Sequence, residues 1–388
     1  MTGSWLIKRV VFVIVFLCPL LSAGASDRNS VPAYLVESRI EKLDLQTPVS
    51  LQYNQYVQAY IDVYTKKRPE HLAGILSRAR LYFPLFEEYL DKYGLPLELK
   101  YLAVIESALN PKAKSSSGAY GLWQFLYQAS RMFDLEITSY IDERADPVKS
   151  TEAACRYLKY LYDNFNDWLL AISAYNVGIG TIKEAIEQSG GERDYWKLRP
   201  FLPQQVQGYV PAFVAANYVM NFHHTYNIDP LPGGFHYDDL VTTKVKGGLS
   251  FDQIARLTGI SVEVLRLLNP VYKMDYIPVQ NGEVRIVIPE DKVEIFMQKR
   301  SRFLTEEAPV PPKMQALGDT IGRQKSWHVV KKGEFFHAIA MEYECRIEDL
   351  MYWNGMKDKQ LFAGQKLVVW KPLEEETENN FFTEVMDP

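Results

Sequence analysis

The chain has 388 residues, 47% of them hydrophobic, enough for two or three packed domains. Its formal net charge of −5 provides no basic field, which excludes nucleic acid and anionic lipid as main targets. Of 3 cysteines, one lies in the N-terminal apolar segment and the others, Cys155 and Cys345, fall in different predicted domains, so no disulfide framework is implied.

Taken in chain order, Lys8 and Arg9 precede an apolar run over 10–21, and Ala23-Gly24-Ala25 follows as an A-x-A cleavage site. Residues 1–25 therefore read as an export signal. The run is short for a bilayer span, though an uncleaved anchor stands as the alternative. Leu17 precedes Cys18 where a lipidation signal wants a small residue, so lipidation is not expected. Residues 26–75 read as a polar lead-in with helical stretches that wraps the next domain. Over 76–229 the pattern is helical almost throughout. It predicts an amphipathic helix over 78–93, another over 151–165, an apolar helix over 168–175 ending near Asn176 and Gly178, and a last helix over 211–226.

Within that domain the segment ELKYLAVIESALNPKAKSSSGAYGLWQF is the most informative. Pro96 suits a first helical turn, and Leu99, Leu102, Ala103 and Glu106 then share one face. Glu106 thus stands where a core residue is expected. Desolvation raises a carboxyl pKa, and a carboxyl still protonated near neutrality serves as a general acid. A Glu that snorkels outward, or one paired with a buried Arg, would fit the helix pattern equally. After the helix, Ser115 to Phe125 mixes Gly118 and Gly121 with an aromatic and an amide, the composition of a turn that brings polar groups to a ligand. Ala174-Tyr175-Asn176-Val177-Gly178 and Tyr209-Val210-Pro211 follow downstream.

These blocks, in this order, resemble the catalytic domain of the lytic transglycosylases, which cleave bacterial peptidoglycan. The resemblance implies a mainly α, lysozyme-like catalytic domain with its site in a groove between helices. It implies that Glu106 acts first as acid and then as base. Glu106 would protonate the oxygen linking N-acetylmuramic acid to N-acetylglucosamine, then deprotonate the muramyl C6 hydroxyl as a 1,6-anhydro ring closes. Ser107, Ser115, Gly118, Gly121, Gln124, Tyr175, Asn176 and Tyr209 match the family's substrate-binding positions. Ser107 would bond near the carboxyl or the substrate, or serve only as a helix end. Gln124 and Asn176 would meet acetamido or hydroxyl groups. Gly118 and Gly121 would let the backbone approach the sugar. Tyr209 would donate to the carboxyl without adding a charge, so it need not lower the acid's pKa. Trp123 reads as packing. Two departures are visible. Gln205 stands where the family usually has Glu, and Tyr127-Gln128-Ala129-Ser130 replaces a small Thr-Gly or Thr-Ala.

Two other readings stand beside this one. A lysozyme-type hydrolase needs a second carboxylate across the scissile bond, and Asp142, Glu143 and Asp146 are the candidates. In DERADP they read instead as a capping and ion-pair cluster that fixes the loop after the groove. The other is a non-catalytic wall-binding protein, against which intact Glu106, Gln124, Tyr175 and Tyr209 argue.

Past Pro230 an internal repeat appears. Gly248, Phe251, Ile254, Ala255, Glu263, Leu265 and Asn269 recur 85 positions later as Gly333, Phe336, Ile339, Ala340, Glu348, Leu350 and Asn354. Each copy reads as strand, helix, helix, strand. The second resembles a LysM module, which implies binding of N-acetylglucosamine-containing glycan, and the first is a diverged LysM-like unit. Where that family's glycan-contacting turn often carries Thr, the copies have Ser250 and Phe335. The expected organisation is a signal at 1–25, a lead-in at 26–75, a catalytic domain at 76–229, a LysM-like module at 237–296, a Pro-containing linker at 297–326, a LysM module at 327–371 and an acidic tail at 372–388. On this organisation residues 230–388 serve wall binding more than turnover. The chain is expected to be a monomeric, periplasmic protein associated with the envelope. No Walker or Rossmann glycine pattern is present, and the 6 histidines, with His223-His224 expected exposed, lack ligand spacing, so neither cofactor nor metal is expected.

Overall fold

The computed structural model describes residues 31–138, 140–279, 283–299, 302, 320 and 323–372, the last without 344, 346 and 359. The export signal, most of the linker and the acidic tail beyond 372 lie outside the described residues.

The helical part is built around one strongly apolar helix. The first nine helices in chain order are α1 (Ala33–Asp44), α2 (Gln55–Asp62), α3 (Pro69–Lys92), α4 (Tyr101–Ser107), α5 (Tyr127–Met132), α6 (Pro147–Phe165), α7 (Trp168–Gln188), α8 (Tyr195–Leu198) and α9 (Tyr209–Phe222). Every side chain of α9 from Val210 to Val219 is buried, as expected of a helix apolar on all sides. Helices α2, α4 and α7 pack on it, and α3 and α7 flank α6. Residues 31–75 share this body's core. Val36, Ile40, Val57, Ile61 and Tyr64 are fully or almost fully buried in the same core as α9. The polar composition of that stretch hid an apolar stripe on each short helix.

Several helices begin or end elsewhere than the pattern suggests. Helix α3 starts at Pro69, nine residues before the expected start, and tolerates Pro84 inside it. Helix α6 starts at Pro147, where the Asp146 carboxylate accepts from the amides of Val148 and Lys149. Helix α7 is interrupted where the sequence predicts its end, just after Asn176. Gly178 takes φ 83°, ψ 159°, which breaks the helix, and the chain then resumes helical geometry to Gln188. Glycine alone adopts that conformation without strain.

Beyond the helical body come two βααβ modules. In the first, β1 (Leu240–Lys246) pairs antiparallel with β4 (Glu283–Pro289), and a small ladder joins β2 (Leu249–Ser250) to β3 (Tyr276–Ile277). Helices α10 (Phe251–Thr258), α11 (Val262–Leu268) and α12 (Val293–Lys299) cover the sheet. In the second module, β5 (Arg323–Val329) pairs antiparallel with β6 (Lys366–Pro372) beside α13 (Phe336–Glu342) and α14 (Ile347–Trp353). The fold class is therefore mainly α with small α+β modules.

The repeat extends to hydrogen bonding. Asn269 donates to the carbonyls of Leu265 and Val287 and accepts from the Val287 amide at 2.8 Å. Asn354 does the same with Leu350 and Val368, accepting from the Val368 amide at 2.7 Å. Each Asn staples the second helix of its module to the closing strand. The two Asn are 85 positions apart, whereas Val287 and Val368 are 81 apart, so the second copy is four residues shorter between helix and strand.

Candidate active site

Glu106 sits at the penultimate position of α4, next to a tight exit. The helix is packed on all sides, with Tyr101 to Ile105 buried, and only Glu106 keeps part of its surface open. The preceding turn, Leu97–Lys100, is a 3₁₀ turn with Pro96 capping it in extended geometry. Pro96 thus starts the segment from outside the helix. Ala108 and Leu109 follow with φ 50° and 62°, left-handed values that cost a non-glycine residue about 1–2 kcal/mol each. The Nε of Arg78 donates to the Ala108 carbonyl at 2.8 Å and holds this turn. Strain of that kind persists only where the surroundings impose it, and it lies directly behind the carboxyl.

Two influences set the acidity of Glu106. Burial, the larger influence, disfavours the carboxylate, and the net result is a pKa raised from 4.5 to about 7. Tyr209 opposes this. Its hydroxyl, at the first residue of α9, donates to Glu106 Oε1 at 2.5 Å and favours the charged form. The phenol therefore does lower the acid's pKa, contrary to the sequence expectation, but burial outweighs it. Tyr209 and Tyr175 both have pKa values well above 10, because each is desolvated and faces Glu106. They remain neutral donors.

The turn over 118–125 packs against the end of α4 that carries Glu106. Tyr175 donates to the Trp123 carbonyl at 2.7 Å, so helix α7 is tied to this turn. The Ser107 hydroxyl lies 2.8 Å from the Leu122 carbonyl and 3.0 Å from that of Ala103. Ser107 is 7% exposed and faces the turn's backbone, so it fixes the turn against α4. Gln124 takes φ 49°, and its amide nitrogen donates to Ala113 and Gly121 carbonyls. Its donor is thus spent on the turn. Trp123 is fully buried, with its indole N–H donating to Thr151, and packs on Phe86 with ring centroids 5.0 Å apart.

The two glycines differ from each other. A Cβ on Gly121 would lie 2.0 Å from the Arg144 carbonyl oxygen. Gly121 is required by the neighbouring loop. Gly118, with φ 83°, has open space where its side chain would be. Ser115 accepts from the Ala119 amide at 3.0 Å and lies 2.9 Å from the Ser117 hydroxyl, which shapes the turn. Asn176 is exposed just before the break at Gly178. Gln205 is exposed in a 3₁₀ turn, and Tyr127 begins α5. Of the matched residues, the structure thus joins Glu106, Tyr209, Tyr175, Ser107 and Gln124 through direct bonds or the shared 118–125 turn.

The other carboxylates are committed elsewhere. Asp142 grips Arg144 through two bonds of 3.0 and 2.7 Å. Glu143 accepts from the Glu136 amide and pairs with Lys149. Asp146 caps α6 and pairs with Arg285 at 2.8 Å. Arg144 in turn donates to the carbonyls of Gly118 and Phe125, so it clamps both ends of the groove turn. What sequence reasoning missed is that this loop also joins the first βααβ module. Ile141 belongs to the module's core, and backbone bonds run from Asp142 to Val271 and from Lys273 to Tyr140.

Elsewhere, His328, Glu334 and Glu342 place one donor atom each within 4.8 Å of one another in the last module. The two ring nitrogens of His328 already meet Glu334 at 2.9 Å and Tyr343 at 3.2 Å. His223 is half-buried against the Ile228 carbonyl, whereas His224 is exposed. The last module shows Trp327, Phe335, Tyr352 and Phe362 at its surface. Phe335 also meets Tyr127 of α5, with ring centroids 6.1 Å apart.

Three family models match the chain. They are the transglycosylase SLT domain at 84–197, the LysM-like domain of lytic transglycosylase MltD at 239–303 and the LysM domain at 328–370. Membrane-bound lytic murein transglycosylase D of Escherichia coli K12 is 27% identical over 85% of this chain and 71% of its own length. Membrane-bound lytic murein transglycosylase F of Histophilus somni is 28% identical over 54% of this chain and 45% of its own. The 70-kDa soluble lytic transglycosylase of Escherichia coli superposes with a TM-score of 0.32 at 28% identity, covering 40% of this chain and 27% of that one. The chain spans under a third of that solved structure. An SLT domain followed by an MltD-type LysM-like domain and a LysM domain, in the order and over most of the length of murein transglycosylase D, supports an MltD-like lytic transglycosylase.

Proposed function

We propose that Glu106 is both the acid and the base of this enzyme's reaction. The observation that carries it is a single half-buried carboxyl, pushed up to about 7, that receives a hydrogen bond from Tyr209 while the nearby acids of the 142–146 loop are tied up in ion pairs and a helix cap. At neutral pH about half of such carboxyls still carry a proton. That proton goes to the glycosidic oxygen between N-acetylmuramic acid and N-acetylglucosamine as the C1–O bond breaks. The muramyl acetamido oxygen supports the anomeric carbon. The Glu106 carboxylate then takes the proton of the C6 hydroxyl as its oxygen bonds C1. The 1,6-anhydro ring closes, no water is consumed, and Glu106 ends protonated as it began.

Tyr209 holds the carboxyl in place through both states, since a neutral phenol can donate before and after proton transfer, more strongly to the carboxylate. Tyr175 fixes the 118–125 turn, leaving the Gln124 carbonyl and Asn176 to meet amide or hydroxyl groups of the sugar. The last module holds the strand, with Tyr352 and Phe362 offering faces for sugar rings. The chain works as a monomer in the periplasm, at the envelope. The charged, apolar and A-x-A segments at 1–25 support export, and two relatives are named membrane-bound. Among the described residues no helix is long and apolar enough to cross a membrane. The test is Glu106→Gln, which keeps the shape and the bond from Tyr209 but has no proton to give. Loss of cleavage with an unchanged fold is expected, and full activity would overturn the assignment.

A further inference from the structure

The first βααβ module is bonded to the groove in a way that a mere wall-binding appendage would not need. Tyr140 and Ile141, from the loop after the groove, pack against its core. Its Lys273 amide bonds the Tyr140 carbonyl and its Lys273 ammonium the Thr138 carbonyl, both at 2.8 Å. Its Val271 carbonyl accepts from the Asp142 amide at 2.9 Å. From β4, Arg285 reaches back to both oxygens of Asp146 at 2.9 and 2.8 Å. The loop is thus held at both ends by the module. Between those ends lies Arg144, whose guanidinium clamps Gly118 and Phe125 and whose carbonyl abuts Gly121. The turn so held carries Gln124 and is tied by Leu122 to Ser107, next to Glu106.

We propose that this module is part of the catalytic unit and that Arg285 is a positioning residue, acting through Asp146 and Arg144 on the 118–125 turn. It rests on the assignment of Glu106 and its groove made above. It also revises the expectation that residues 230–388 serve wall binding more than turnover.

The experiment uses the full chain with Arg285→Gln and Arg285→Lys. Asp146→Asn is the second test variant, because asparagine still caps α6 but loses the charge. Arg266→Gln, which breaks an ion pair to Asp275 within the module, is the control. The probes are a short soluble peptidoglycan glycan for kinetics, whole sacculi for retention, and amide hydrogen exchange across 118–125. Arg285→Gln and Asp146→Asn should lower kcat about tenfold with little change in KM, since small misplacements of catalytic groups have effects of that size or larger. They should speed exchange at 121–125 and leave sacculus retention unchanged. Arg285→Lys should recover part of the rate and the control all of it. Wild-type kcat and wild-type exchange in both Arg285→Gln and Asp146→Asn would overturn the proposal. A parent enzyme inert on the glycan would overturn the reading of Glu106 instead, and the exchange rates would still decide the role of Arg285.

Discussion

The hydroxyl of Tyr209 donates to Oε1 of Glu106 at 2.5 Å, joining residues 103 positions apart at the start of α9 and the end of α4. The carboxyl therefore has a fixed rotamer and one neutral donor, in a site where burial alone raises its pKa. Acidity and geometry are set by different groups, and each is separately testable.

Removing the donor should move the two in opposite directions. The bond from Tyr209 lowers the Glu106 pKa, so Tyr209→Phe raises it above about 7. The rate of the acid step falls as pH rises through that pKa, because the proton is lost. In pH profiles of kcat/KM, Tyr209→Phe should shift the alkaline limb to higher pH while lowering the plateau about 10- to 100-fold. A lowered plateau with an unmoved limb would place Tyr209 on the substrate instead of the carboxyl.

The same burial carries a stability cost. Glu106 is neutral in folded and unfolded chains below about pH 4.5, and charged in both above about pH 7. Between those values the folded state holds the extra proton, so stability falls as pH rises across the window. Glu106→Gln removes the penalty. It should match the parent near pH 4 and exceed it by up to about 3 kcal/mol at pH 8, read from denaturant midpoints. Equal stability at both pH values would contradict the burial of Glu106.

The two groove glycines should respond differently. Gly121→Ala forces a Cβ to within 2.0 Å of the Arg144 carbonyl, which the clamped loop cannot relieve cheaply. It should cost about 3 kcal/mol and most of the activity. Gly118→Ala meets open space and bears only the left-handed backbone cost of about 1 kcal/mol. Thermal melts and turnover on one substrate separate the pair.

Asn354→Ala should unfold the last module alone. It leaves the amide and carbonyl of Val368 and the Leu350 carbonyl without their partner, a loss of about 3 kcal/mol in a small domain. Retention on sacculi should drop, and turnover of a short soluble glycan should not.

Much of this was legible in the sequence. Glu106 was visible as a carboxylate at a core position, and the repeat was visible because its core residues keep one offset. The Asp142–Arg144–Asp146 cluster was legible too, since DERADP followed by an amphipathic helix reads as a cap. Three features were not. The close approach at Gly121 was hidden because spacing cannot show that Arg144, 23 residues later, closes on it. Ser107 looked as ready for substrate as for backbone, since a hydroxyl's partner depends on where the 118–125 turn returns. The docking of the first module depends on Val271, Lys273 and Arg285 meeting a loop more than 120 residues earlier, a contact without local pattern.

The most direct measurement is the mass of the products released from purified sacculi by the enzyme and by Glu106→Gln. The account predicts 1,6-anhydromuropeptides, one water lighter than hydrolytic fragments, from the parent and none from the variant. Reducing-end products from the parent would contradict it, because they require a water in place of the C6 hydroxyl as the attacking group.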